Sequence, residues 1–267
     1  MMTLAIYIKK KALLEDPRTI SLKNRLSALG FALYDVACGE DLRPGTEMIL
    51  SLGGDGTFLC AARLFGGSGI PILGVNFGRL GFLSENTADD VVSGLSRGDY
   101  SIEERTLLES GGQYALNEVA IHRQGGAMLG IRVCIDGRPL PVYWADGMLV
   151  ATSSGSTAYS LSVGGPICMP GSRVLIITPI APHNLNVRPL IVPDTCRIEI
   201  SVKTRDERFI LSLDNNSTDV APDTLISVGV AQFSLKRVRL HGSDFVKALT
   251  SKLFWGEDVR NSDDDDK

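Results

Sequence analysis

Ile49-Leu50-Ser51-Leu52-Gly53-Gly54-Asp55-Gly56-Thr57-Phe58-Leu59 holds an apolar run, two glycines, one carboxylate, a third glycine and a threonine. The apolar run predicts a buried strand. Phe58 to Phe65 has helical character, and Gly66 is placed to cap its end. The order is therefore strand, glycine turn, helix. Glycines let the backbone approach a ligand and turn its N–H groups toward it, and a helix N-terminus adds partial positive charge in the same place. Such a turn binds phosphate. Asp55 is the odd member, a negative charge inside an anion site; it suits a group that takes a proton from an attacking hydroxyl. Read alone, the turn fits equally well a tight strand–helix connection in which Asp55 only caps the helix. Neither G-x-G-x-x-G nor the Gly-Lys dipeptide of a P-loop occurs in the chain.

On either side of this turn strands and helices alternate. Leu4–Ile8 predicts a first strand. Pro17 to Leu29 predicts a helix with Leu22, Leu26 and Leu29 on one face and Gly30 as its stop. A short strand around Phe31–Tyr34 precedes the glycine turn, and Ile70–Val75 predicts another buried strand after it. That strand runs into a second glycine-bearing loop, Asn76-Phe77-Gly78-Arg79-Leu80-Gly81-Phe82-Leu83. Thr87 with Asp90 marks a helix start before Val91, Val92 and Leu95, and Gly98 ends that helix. Apolar strands alternating with helices imply a parallel α/β layer, with ligands at the carboxyl ends of the strands, where both glycine loops fall.

Near Arg105 the period changes to two. Ile131, Val133 and Ile135 alternate with Arg132 and Cys134, and Asp136-Gly137 offers a hairpin turn. Ile198, Ile200 and Val202 form a second such face, and Phe209, Leu211 and Leu213 a third. Phe233 and Leu235 begin a further strand whose phase slips before Val238 and Leu240, as at a bulge. This half reads as β-rich and mostly antiparallel. A last helix is expected from Ser243, carrying Phe245, Leu249 and Leu253.

Composition bounds the function. The 267 residues are 44% hydrophobic and 22% charged, as in a soluble protein of one or two domains. Of the formal net charge of −4, the tail Asp263-Asp264-Asp265-Asp266-Lys267 contributes −3, leaving −1 for the rest. The tail resembles a protease-tag scar and reads as disordered. A near-neutral body argues against nucleic-acid binding. Cys38, Cys60, Cys134, Cys168 and Cys196 are odd in number, widely spaced and without C-x-x-C, so they read as reduced core residues of a cytosolic protein. His122, His183 and His241 are scattered, so no metal-ligand cluster is visible. No apolar run is long enough for a signal peptide or a membrane span.

One stretch interrupts the β region: Asp146-Gly147, an apolar strand, then Thr152-Ser153-Ser154-Gly155-Ser156-Thr157-Ala158-Tyr159-Ser160-Leu161-Ser162 and Gly164-Gly165-Pro166. The loop is dense in hydroxyls and has no basic residue. It suits sugar hydroxyls and base edges, or else a helix N-cap at Ser154 or Ser156 among solvated serines. Asn117-Glu118 opens a strand and taken alone is an exposed polar edge pair. His183, in the proline-rigid corner Pro179–Pro189, taken alone reads as a core histidine.

Together these segments resemble the NAD kinase family from Ile49 to Arg260. The resemblance is carried by Gly53-Gly54-Asp55-Gly56-Thr57, Gly78–Leu83, Asn117-Glu118, Asp146-Gly147, Gly155–Ser162, Gly164-Gly165-Pro166, Pro182-His183 with Arg188-Pro189, and Trp255-Gly256. The glycine–aspartate piece is shared with diacylglycerol-type lipid kinases; the Gly-Ser-Thr-Ala-Tyr piece and the Asn-Glu pair are much more specific. The resemblance implies an α/β, Rossmann-like N-terminal domain and a β-rich, sandwich-like C-terminal domain, with the last helix returning to the first. Residues 1–105, with 243–260 packing back, would hold the phosphate donor and catalytic loop. Residues 106–242 would bind NAD, and 261–267 are the acidic tail.

The implied reaction is NAD and ATP giving NADP and ADP, with polyphosphate as the alternative donor, by attack of the adenosine ribose 2′-hydroxyl on the terminal (γ) phosphate. Asp55 would be the base, with Gly53, Gly54, Gly56 and Thr57 around phosphates and Gly56 also touching NAD. Phe82 would pack beside the dinucleotide. Asn117, Thr157 and Ala158 would hold the adenosine half, with Tyr159 stacking close by, and Glu118 would take ribose hydroxyls. Ser154, Ser160, Leu161 and Ser162 complete the NAD loop. Asp146 and Ala181 would meet the nicotinamide end, partly from a neighbouring subunit of a homodimer or homotetramer. Mg²⁺ would be held chiefly by ATP oxygens. The chain departs from the family where Ser153 stands in place of a proline. Trp144 replaces a basic residue or histidine, and Asn216 stands where a glutamine is usual. Two other readings share these features: a diacylglycerol-type lipid kinase, which no basic amphipathic helix supports, and a dinucleotide sensor without turnover, against which Asp55 speaks.

Overall fold

The computed structural model describes residues 1–78, 81–242 and 245–256. Residues Arg79, Leu80 and Ser243 and the acidic tail lie outside them. The chain forms two compact units, Met1–Glu103 with the chain from Lys236 onward, and Glu104–Leu235.

The first unit opens with strand β1 (Thr3–Ile8), helix α1 (Pro17–Ala28) and strand β2 (Ala32–Val36). Asp16 caps α1 by accepting the Arg18 N–H at 2.8 Å, and Pro17 takes the first turn, where its missing N–H costs nothing. Leu22 and Leu26 face the core as expected, but Leu29 lies one residue past the helix and is exposed. Gly30 follows with φ +86°. Strand β3 (Met48–Gly53) is buried along its whole length and leads into α2 (Asp55–Phe65). Gly66 does not end that helix in a left-handed cap. It is right-handed and starts one 3₁₀ turn, and Gly69, with φ +72°, makes the reversal. Strand β4 (Ile72–Asn76), helix α3 (Ala88–Arg97) and strand β5 (Tyr100–Arg105) follow. α3 carries the expected Thr87–Asp90 capping box and a left-handed Gly98.

The second unit is a pair of antiparallel sheets. Its strands are β6 (Leu108–Ser110), β7 (Gln113–Ala115), β8 (Glu118–Arg123), β9 (Leu129–Ile135), β10 (Arg138–Pro139), β11 (Tyr143–Ala145) and β12 (Gly147–Thr152). After the short helix α4 (Tyr159–Ser162) come β13 (Val174–Ile180), β14 (Leu190–Pro193), β15 (Ile198–Lys203), β16 (Phe209–Leu213), β17 (Asn216–Val220) and β18 (Ile226–Val230). One sheet runs β10-β9-β15-β18-β6-β7, with β11 on β9; the other runs β14-β13-β12-β8-β16-β17. Val119, Ile121, Met148 and Val150 of one sheet pack into a single core with Ile131, Val133, Ile198 and Ile200 of the other. Alternation puts Ala120, Leu149, Ala151 and Ile176 on the outer face, where Tyr159, Val163 and Cys168 cover them. Asp136 and Gly137, at φ +50° and +77°, make the predicted two-residue hairpin. All five cysteines are free, and each is half-buried rather than fully in the core.

The chain returns to the first unit with β19 (Leu235–Leu240) and α5 (Phe245–Leu253). The first sheet runs β2-β1-β3-β4-β19-β5, and β19 pairs parallel to β4. The phase slip in this strand therefore belongs to a central strand with groups buried on both faces, not to an antiparallel edge. Phe233 lies outside the strand and packs edge-on against Tyr114. α1 and α3 cover one face of the sheet through Leu22, Leu26, Val91 and Leu95.

Candidate functional site

In the first unit the site is built at the end of β3. Gly53 has φ +156°, and a Cβ there would lie 2.2 Å from Thr57 Oγ1, so this glycine serves the packing of the turn itself. Gly54 and Gly56 have nothing within 4 Å of a built Cβ and border open space. In the first turn of α2 the Thr57 and Phe58 N–H groups bond the Gly54 carbonyl at 2.9 and 3.2 Å, and those of Asp55 and Gly56 precede the first helical acceptor.

Asp55 is the first residue of α2, after the N-cap Gly54, and its side chain does not cap the helix. Its carboxylate instead accepts the N–H groups of Phe82 at 2.8 Å, Leu83 at 3.0 Å and Ser84 at 2.8 Å. Gly81 makes this approach possible, since a Cβ there would meet Asp55 Oδ1 at 1.9 Å. The same loop is held through its carbonyls. Arg237, 4% exposed, directs Nη2 at the carbonyls of Leu83 and Phe82, 3.3 and 3.4 Å away. It ion-pairs with Glu85 at 2.6 Å and Glu103 at 2.9 Å. Lys252 of α5 donates to the Gly81 carbonyl and lies 4.8 Å from the centre of the Phe82 ring. Burial pushes its ammonium pKa down, against the opposing charges of Glu85 and Asp55. Phe245 packs on Phe82 at 6.2 Å.

In the second unit Asn117 and Glu118 are not an exposed edge pair. β8 is flanked by β12 and β16, and both residues are buried. Asp214 and Asn215, at φ +46° and +68°, turn between β16 and β17. The Asp214 carboxylate accepts the N–H groups of Leu116 at 2.5 Å, Asn117 at 2.8 Å and Glu118 at 3.2 Å. Burial raises the pKa of Asp214, against those hydrogen bonds. Burial first, then the Asp214 charge, lifts Glu118 to about 8, while the Tyr159 N–H bonded to it acts the other way. Glu118 Oε2 is buried without a partner. A buried acceptor without a donor is costly unless a ligand supplies one.

The hydroxyl loop closes over this carboxylate. A Cβ at Gly155 would sit 2.1 Å from the Asn117 carbonyl, so only glycine fits. Neither Ser154 nor Ser156 caps a helix. Ser154 Oγ accepts from Arg105 at 3.3 Å, and Ser156 Oγ donates to the Ser153 carbonyl at 2.7 Å while accepting the Cys168 N–H at 3.0 Å. Ser160 is fully buried under Gly165, whereas Thr157, Ala158 and Leu161 are half-buried and Ser162 is exposed. The Tyr159 ring stacks on His122 at 5.5 Å, and burial lowers the His122 pKa.

The predicted residues of this unit gather at two ends of β12. Ala151 pairs with Glu118 at one end, and Gly147 with His122 and Ile180 at the other. At about 3.3 Å per residue Ala151 and Gly147 are roughly 13 Å apart. Asn216, bonded to Gln113 at 3.1 Å, follows the turn on the Glu118 side. Asp146 ion-pairs with Arg123 at 3.3 Å, beside Ala181, whose φ is +46°. Trp144 is 47% exposed, and its ring lies against Gly130. His183 is exposed rather than in the core, and its N–H bonds the Trp144 carbonyl at 2.7 Å. Arg105, Asp214, Arg237 and Lys252 were not among the predicted site residues; their partners lie far away in the chain, and nothing local in the sequence signals them.

A glycine turn that opens onto a helix N-terminus and holds a single fixed carboxylate is equipment for phosphoryl transfer, and the class is a kinase. The chain matches the ATP-NAD kinase N-terminal domain over residues 13–98 and the ATP-NAD kinase C-terminal domain over residues 116–240. It is 45% identical over 239 residues to an NAD kinase of Porphyromonas gingivalis, covering 85% of this chain and 83% of that one. Its fold is similar to that of a yeast NADH kinase crystallised with NADH, with TM-score 0.84, 24% identity and coverage of 97% and 89% of the two chains. It is also similar to that of an Archaeoglobus fulgidus NAD kinase crystallised with ATP, with TM-score 0.77, 24% identity and coverage of 90% and 94%. The chain belongs to the NAD kinase family.

Kinases of an ATP-dependent family work with a divalent metal. Among the described residues no group of three or more His, Cys, Asp and Glu is placed to hold a metal, and no helix is long and apolar enough to cross a membrane.

Proposed function

We propose that this protein transfers the terminal phosphate of ATP to the 2′-hydroxyl of the adenosine ribose of NAD, giving NADP and ADP. The observation that carries this reading is the Glu118 carboxylate, buried with one oxygen unpartnered beneath a loop of hydroxyls and N–H groups. Vicinal ribose hydroxyls supply the donors it lacks. Asn117, Thr157 and Ala158 hold the adenosine half with Tyr159 alongside, and Ser154, Ser160, Leu161, Ser162 and Asn216 frame it. Asp146, Ala181 and Trp144 serve the nicotinamide end, and the two ends of β12 suit an extended dinucleotide.

Gly54, Gly56 and Thr57 cradle donor phosphates against the first turn of α2. The 2′-oxygen bonds to the γ-phosphorus, the bond to the β,γ-bridging oxygen breaks toward ADP, and Asp55 takes the hydroxyl proton as the new bond forms. A carboxylate has about four acceptor positions, and the loop N–H groups occupy three, leaving one for the hydroxyl. Phe82 packs beside the acceptor. Mg²⁺ enters as part of the donor, on its phosphate oxygens. Residues 1–105 with 243–260 act on the donor and 106–242 on NAD. The chain works as a homodimer or homotetramer in the cytoplasm, without nucleic acid or membrane.

The test is direct. Pure protein with NAD, ATP and Mg²⁺ is assayed for NADP with a dehydrogenase specific for it. NADP formed in proportion to enzyme is expected; dinucleotide binding without NADP would instead make the protein a sensor.

A further inference from the structure

Two of the groups that support the 81–84 loop also face a second space. Lys252, which donates to the Gly81 carbonyl, and Glu85, which pairs with Arg237 at 2.6 Å, both line a cavity of about 380 Å³ in the first unit, between α3 and α5. Gly94 of α3 and Leu240 of β19 belong to its wall and touch closely, since a Cβ at Gly94 would lie 2.9 Å from Leu240 Cδ2. Lys247, Ala248, Ser251 and Lys252 line it from one face of α5, at helical spacing. Among the described residues of this wall none belongs to the glycine turn 53–57.

The wall selects a ligand by its charge. Its carboxylates already have partners. Glu85 holds Arg237, and Asp90 accepts the Thr87 N–H at 2.8 Å and the Thr87 hydroxyl at 2.6 Å. Asp99 bonds His241 Nδ1 at 2.5 Å and lies 3.8 Å from Arg97. Lys247 and Lys252 are left to meet an anion. The Lys252 ammonium has three N–H donors, of which the Gly81 carbonyl takes one. Burial has pushed its pKa down, so a counter-ion beside it offsets the desolvation. Leu240 and Ala248 are the apolar side chains of the described wall, which leaves a flat aromatic base nothing to stack on. The spare lone pairs of Asp90 and Asp99 and the hydroxyl of Ser93 suit the hydroxyls of a sugar instead.

We propose that this cavity is a regulatory site for a sugar phosphate, with its phosphate on Lys247 and Lys252 and its hydroxyls on Asp90 and Asp99. The phosphate competes with the Gly81 carbonyl for Lys252. Binding therefore loosens the loop whose N–H groups fix Asp55, and the ligand acts as an inhibitor that never meets either substrate. The effect on turnover rests on the phosphoryl-transfer reading above; the binding does not.

The experiment uses the full chain, with glucose 6-phosphate as the probe and inorganic phosphate beside it. By calorimetry without ATP or NAD, glucose 6-phosphate is expected to bind at least about tenfold more tightly than phosphate. Lys247→Ala is expected to weaken it about tenfold, the worth of a charge-assisted phosphate contact. In the NADP-forming assay, saturating glucose 6-phosphate should lower kcat about fivefold, the worth of one hydrogen bond, and leave the KM for ATP and NAD unchanged. Lys247→Ala should keep its basal kcat and need about tenfold more of the probe for the same inhibition. Absence of binding at millimolar probe overturns the proposal, as does binding indifferent to Lys247→Ala. So does phosphate bound as tightly as the sugar phosphate, or an unchanged kcat at saturation. Inhibition relieved by ATP also overturns it, because the probe then sits on the donor's own site. Calorimetry needs no turnover, so a protein that forms no NADP would remove the proposed function and leave the binding result standing.

Discussion

Asp55 and Gly81 are in such close contact that a Cβ at position 81 would lie 1.9 Å from Asp55 Oδ1. The neighbouring atoms are a carboxylate already tied to three backbone N–H groups, so it has little room to yield. Gly81→Ala should therefore displace the 81–84 loop or the carboxylate. We expect a loss of about 1–3 kcal/mol of stability and a fall in turnover of tenfold or more. Thermal midpoint and kcat on this variant check it; an unchanged kcat would detach the contact from catalysis.

Arg237 and Lys252 hold the same loop by its carbonyls, to different degrees. Arg237→Met would remove the buried guanidinium that Glu85 and Glu103 both pair with, at a cost of about 3–5 kcal/mol. Lys252→Met keeps the packing over Phe82 and loses one hydrogen bond, so about 0.5–1.5 kcal/mol is expected. Both should lower kcat and leave NAD affinity nearly unchanged. Denaturant titrations with paired kinetics separate the two effects.

Glu118 makes stability and binding depend on pH in opposite senses. Its pKa of about 8 in the fold lies above the ordinary 4.5, so the folded protein holds a proton that the unfolded chain has released. Stability of the ligand-free protein should fall as pH rises from about 4.5 to about 8 and level off beyond. NAD, whose hydroxyls favour the carboxylate, should bind more tightly as pH rises through the same range. Glu118→Gln is expected to flatten both profiles, as measured by thermal melts and NAD titrations between pH 5 and 9.

Much of the fold was legible because its signals are local. The strand–glycine–helix order at Ile49–Phe65, the Thr87 box and the Asp136-Gly137 hairpin each depend on residues within a few positions of one another. What the sequence hid depends on contacts between distant segments. Asp55 finds its donors 27 to 29 residues away, and Asp214 its own 96 to 98 residues away. Asn117-Glu118 looked like an exposed edge because two polar residues at a strand start carry no sign that β12 and β16 enclose them. β19 read as one more antiparallel strand because pairing partners leave no trace in the alternation. The residues that resemble a family pattern could be named in advance; Arg105, Arg237 and Lys252, which only support them, could not.

The most direct test of the central claim is turnover of Asp55→Asn, measured with NAD affinity and thermal midpoint on the same preparation. Asparagine presents one oxygen and one NH₂ where three N–H groups need acceptors, so a loss of about 1–3 kcal/mol is expected, unlike at a simple helix cap. Asn117, Glu118 and the 154–162 loop are untouched, so NAD should bind with near-normal affinity. NADP formation should fall by a factor on the order of 10² to 10⁴. Near wild-type turnover in a folded, NAD-binding variant would contradict the account and remove Asp55 as the group that takes the proton.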